Sequence, residues 1–100
     1  MNAEAKNVRV NIASYYVDIS KPAMLFFREN FELINGLLPK NVESISSSND
    51  SEKPDTLIVT GHTKNLKEVE IKNLINGLFE DTVYPYTPTD IIQKIEPMRN

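Results

Sequence analysis

Two stretches of this chain repeat apolar residues at helical spacing, and a compact β-rich run lies between them; that alternation of periods restricts the fold more than any other feature. In the first stretch Met24, Phe27, Phe31, Ile34 and Leu38 recur at steps of three and four. Leu25, Leu33 and Leu37 broaden the stripe, while Arg28, Glu29, Asn30 and Glu32 stay polar. Ser20 supplies an N-cap hydroxyl, Pro22 falls in the first turn where its missing N–H costs nothing, and Pro39 cannot continue the helix. The second stripe comprises Val69, Ile71, Leu74, Ile75, Leu78 and Phe79, and Asn65 with Glu68 three residues later predicts a capping box at its start.

The strands are shorter. Val8, Val10 and Ile12 alternate with polar residues, the period of a strand with one buried face. The apolar positions then move to Tyr15, Val17 and Ile19, so either a bulge shifts the register or both faces become covered. Val42 to Ser46 predicts a short second strand and "TLIVT", Thr56 to Thr60, a third. "SSSNDSEKPD", residues 46–55, has nothing apolar to bury and reads as a mobile loop. "TVYPY", Thr82 to Tyr86, is expected as a fourth strand that Pro85 restricts to an edge or bulge position, and "TPTDIIQKI" as a short terminal helix with Thr87 as cap and Pro88 at its first position.

This order, strand, helix, strand, strand, helix, strand, predicts an α+β fold: a ferredoxin-like βαββαβ sandwich with an antiparallel sheet, two helices on one face and a short C-terminal helix. The 100 residues make one domain, preceded by a polar, flexible N-terminus at residues 1–7. "LINGL" occurs at Leu33 to Leu37 and again at Leu74 to Leu78. Its flanks agree poorly, so the repeat reads as two helix ends, Leu and Ile packing on the sheet and Asn-Gly favouring termination.

Composition removes several chemistries. The chain has no cysteine, hence no disulfide or thiol chemistry, and no apolar run approaches the roughly 20 residues of a membrane span. No apolar h-region follows the N-terminus, so the cytoplasm is the expected compartment. A net charge of −3 with eleven scattered Lys and Arg argues against broad phosphate neutralisation of a duplex. His62 is the only histidine and has no partner for a zinc site, and no glycine-rich phosphate loop or nucleophile elbow is present. The element order also occurs in RNA-recognition modules, but the third strand lacks the aromatic residue on which a base would stack.

Two functional readings follow. Tyrosine in strand segments offers interface area with a hydrogen-bonding tip, so Tyr15, Tyr16, Tyr84 and Tyr86 are the candidate partner-binding residues of a non-enzymatic regulatory or protein-interaction domain. Its partner would be another protein or a second copy in a homodimer. The other reading rests on "YYVDIS", which places Asp18 where the first strand gives way to the first helix. That segment resembles the opening of the small ferredoxin-like CRISPR-associated endoribonucleases, and the element order and length are similar to those of GhoS-type antitoxin ribonucleases. The resemblance implies a metal-dependent endoribonuclease of antitoxin-like role acting on RNA, with Asp18 from each subunit holding Mg2+ or Mn2+ at a dimer interface; only Asp18 carries over from the family, and Arg28 on the helix is a further candidate to face phosphate. Asp18 is equally readable as a polar strand-end residue or an alternative helix cap.

Overall fold

The structure, a computed structural model, describes residues 13–61, 66–85 and 91–98. They form β1 (Ala13–Ile19), α1 (Lys21–Glu29), α2 (Phe31–Gly36), β2 (Val42–Ser47), β3 (Thr56–Gly61), α3 (Glu68–Asp81) and β4 (Ile92–Pro97). The four strands make one sheet in the order β2-β3-β1-β4, with every neighbouring pair antiparallel. Val8, Val10 and Ile12 lie outside the described residues.

Alternation assigns the two faces. Val17 and Ile19 of β1, Leu57 and Val59 of β3 and Ile45 of β2 point to one side, where they join Ala23, Met24, Phe27, Ile34, Ile71, Ile75, Leu78 and Phe79 from the helices in a single buried cluster. β1 therefore has one buried face from Tyr15 to Ile19. Its irregularity is a register shift against β4 between Asp18 and Ile19.

The first amphipathic stripe, expected as one helix, is interrupted at Asn30. That residue leaves helical geometry (φ −119°, ψ 27°), and its side-chain Nδ2 donates to the Phe26 carbonyl at 3.0 Å. A side-chain amide that bonds the preceding turn competes with the helical ladder, and α2 begins afresh at Phe31. Part of the stripe faces outward. Ile34 is fully buried, whereas Leu33 is 55% exposed and Leu25 and Leu37 are also on the surface.

α1 begins as its residues predict, with Ser20 Oγ accepting from the Ala23 N–H at 3.3 Å. α3 begins differently. Asn65 lies outside the described residues, Glu68 is the first helical residue, and Glu70 takes the capping role, its Oε1 accepting from the Lys67 N–H at 2.9 Å.

The last third of the chain differs most from expectation. "TVYP" is not a strand: Thr82 ends α3, Val83 takes a left-handed φ of 60°, and the Tyr84 and Val83 N–H groups donate to the carbonyls of Phe79 and Glu80. These are the two bonds of a Schellman motif, and the Tyr84 ring meets Phe79, as such motifs favour, at 5.2 Å between centroids. The fourth strand is instead the segment expected to be a terminal helix. Ile92 and Ile95, three apart as on a helix face, both point inward because the register shift skips Gln93, pairing Ile92 with Ile19 and Ile95 with Val17. Thr87 and Pro88 lie outside the described residues.

The two LINGL copies are not equivalent. The first ends α2 at Gly36, but the second lies inside α3, which continues to Asp81, and no glycine among the described residues has positive φ. Asn35 of the first copy bonds the edge of the sheet: its Nδ2 donates to the Ile45 carbonyl (3.0 Å) and its Oδ1 accepts from the Ile45 N–H (3.2 Å).

Candidate functional site

Asp18 is carried by β1 on the face opposite Val17, one residue before the strand ends. Thr56, its neighbour on β3, donates its hydroxyl to Asp18 Oδ1 at 2.8 Å. Around this corner lies an open cleft of about 440 Å³, lined among others by Asp18, Lys21, Glu52, Lys53, Asp55 and Gln93. The lining mixes three carboxylates with two ammonium groups, so a ligand of either sign meets both attraction and repulsion there. The loop forming one wall is tied down locally: Ser48 Oγ accepts from the Asp50 N–H, Asp50 Oδ1 from the Glu52 N–H, and the Asp55 carbonyl from the Ile19 N–H.

The alternative of Asp18 as helix cap does not hold, because Ser20 fills that position. Nor does Arg28 stand beside Asp18. It sits in the last turn of α1, in a separate shallow cleft with Asn30, Phe31 and Glu32. Among the described residues no three His, Cys, Asp or Glu side chains are close enough to share a metal ion. Mg2+ takes near-octahedral oxygen ligation, and of the carboxylates lining this cleft that of Asp18 already has one oxygen engaged by Thr56. His62 and Tyr86 lie outside the described residues.

The remaining tyrosines are dispersed. Tyr15 points to the helical side, where its hydroxyl donates to the Leu66 carbonyl at 2.7 Å. Tyr84 packs edge-on against Phe26 and Phe79 at the end of α3. Tyr16, adjacent in sequence to Tyr15, necessarily points the other way, with the Lys53 ammonium 4.6 Å from its ring centroid.

Tyr16 belongs to a surface that the tyrosine count alone does not reveal. Its partner across β3 is Ile58, which pairs in turn with Ser46 of β2. Ser14 and Thr60 continue this face with a hydroxyl contact of 3.3 Å, and Ser44 pairs with Thr60. All of these side chains are half-buried. The signal was present in "TLIVT": strict alternation with Leu57 and Val59 inward leaves Ile58 as an aliphatic side chain on the outer face.

Compared with protein-family models, with curated proteins and with solved structures, the chain matches none of them. Among the described residues no helix is long and apolar enough to cross a membrane.

Proposed function

We propose that the chain is a small cytoplasmic protein-interaction domain of ferredoxin-like architecture, regulatory rather than catalytic and dimeric. The strand order β2-β3-β1-β4 with all neighbours antiparallel supports the architecture. The observation that carries the function is the side-by-side placement of Tyr16 and Ile58 on the two central strands, bordered by Ser14, Ser44, Ser46 and Thr60 on one side and by Glu96 and Lys53 on the other, on a sheet face that carries no helix among the described residues. An apolar centre with a polar rim is the layout of a protein interface.

Its size sets the kind of contact. Four strands about 4.8 Å apart and roughly six residues long span on the order of 400 Å², half of what one partner contributes to a standard stable interface. Such a face suits transient, regulatory recognition. The test is co-isolation of the wild-type chain, an Ile58→Lys variant and a Lys72→Ala control from the host cell. A partner retained stoichiometrically by wild type and control but lost with Ile58→Lys supports the reading, and identical retention by all three overturns it.

A second reading, the metal-dependent endoribonuclease, draws on the position of Asp18 in a cleft whose Lys21 and Lys53 can meet phosphate. It requires a second subunit to complete the metal site. Cleavage of single-stranded RNA with Mg2+ or Mn2+, abolished by Asp18→Ala, is the outcome that would favour it.

A further inference from the structure

The two edges of the sheet are treated differently. On β2, the Asn35 side chain occupies both backbone groups of Ile45, taking the place a neighbouring strand would hold. On β4, no strand of the described residues pairs with the outer edge. The Met98 N–H donates to the Ser14 carbonyl at 2.9 Å, and Tyr16/Glu96 and Asp18/Lys94 follow as register pairs at steps of two. In an antiparallel ladder that parity turns the backbone groups of Lys94 and Glu96 toward β1 and those of Ile95 and Pro97 away from it. Pro97 sits at an outward position and has no N–H, so a strand added to this edge is bonded around Ile95 and receives no hydrogen bond from Pro97.

We infer that this open edge pairs with the same edge of a second copy of the chain, β4 against β4, antiparallel about a two-fold axis at Ile95. The inference deepens the interaction-domain reading and rests on it for the premise that the chain self-associates. In this register Ile95 and the partner's Ile95 exchange two backbone hydrogen bonds, and Lys94 of each chain stands opposite Glu96 of the other. Lys94 and Glu96 already form an ion pair within one strand at 3.1 Å, Lys94 exposed and Glu96 half-buried, so the strand carries a self-complementary charge pattern on its outer face. The pattern also selects the register. Moving the axis to Lys94 sets two ammonium groups face to face, and moving it to Glu96 does the same with two carboxylates; like charges directly opposite destabilise a strand pair. The product is a continuous eight-stranded sheet with isologous symmetry.

This dimer also separates the two functional readings. Three inter-strand spacings of about 4.8 Å lie between Asp18 and the partner's Asp18, roughly 14 Å across the sheet, too far to share one metal ion.

The experiment measures mass by sedimentation for the wild-type chain, Lys94→Glu, and the exchanged pair Lys94→Glu with Glu96→Lys, together with hydrogen exchange at the Ile95 amide as a function of concentration. Expected are a wild-type dimer, a dissociation constant raised at least about tenfold by Lys94→Glu because symmetry makes the change act twice, recovery in the exchanged pair, and an Ile95 amide that exchanges more slowly as dimer forms. A wild-type monomer at millimolar concentration, or a dimer indifferent to Lys94→Glu, overturns the proposal. So does an exchanged pair that remains monomeric. Ile58→Lys lies on the sheet face and leaves this dimer intact, so failure of the edge and failure of face recognition are read independently.

Discussion

At the scale of single residues, backbone geometry makes the sharpest demands. Val83 holds a left-handed φ of 60° and is 81% exposed, so it is strained and has almost no packing to lose. Left-handed geometry costs a side-chain-bearing residue about 1–2 kcal/mol, while glycine adds about 0.5–1 kcal/mol of unfolded-state freedom. Val83→Gly is therefore expected to stabilise the protein by about 0.5–1 kcal/mol in urea denaturation. Gly61 is the opposite case. A Cβ there would come within 2.8 Å of Leu66 Cδ2 and 3.3 Å of the Asn41 carbonyl oxygen, and Leu66 is itself buried. Gly61→Ala should cost about 1–2 kcal/mol by the same measurement, the usual range for forcing a methyl into a packed site. Neither result was legible beforehand, since the pairs Asn-Gly at 35–36 and 76–77 look like the turn-forming glycines and are not in left-handed geometry.

At the scale of elements, competition between local and tertiary bonding decides the boundaries. Asn30 divides a stripe whose periodicity continues to Leu38, because its amide bonds the turn before it. Asn35 also bonds the turn before it, at the Phe31 carbonyl, and uses the same amide to finish β2 at Ile45. Asn35→Ala removes both bonds to Ile45 and opens its backbone to water and to other strands. The expected consequence is a loss of about 1–2 kcal/mol with faster exchange of the Ile45 amide, and a greater tendency to aggregate through that edge. An unchanged Ile45 exchange rate would show that the shielding has no energetic role. The cap and proline at Thr87 and Pro88 point to a terminal helix, yet β4 pairs with β1, and a bulge at Gln93 lets residues three apart share a strand face.

At the scale of the whole molecule, a 100-residue chain closes around one core whose largest fully buried side chain is Phe27, together with Phe79. Phe27→Ala should remove about 3–5 kcal/mol, a large part of the 5–15 kcal/mol typical of such domains, and thermal melting should show a transition lowered by well over ten degrees. The same scale governs function. Among the described residues one face of the sheet is used by the core and one edge is closed by Asn35, whereas the Tyr16/Ile58 face, the β4 edge and the Asp18 corner are taken by neither.

Much of the path to that arrangement is local. The cap at Ser20, the alternation of Leu57 and Val59 with Ile58, and the inward stripe of α3 are set by residues within a few positions of one another, and short-range sterics and periodicity suffice to read them. Three things required the folded chain: that Tyr15 and Tyr16 serve opposite faces in different company, that Leu33 turns to solvent while Ile34 is buried, and that residues 92–97 become the fourth strand. Each depends on groups far apart in sequence, where the gain from satisfying a distant backbone or filling a shared core exceeds the local preference of the segment.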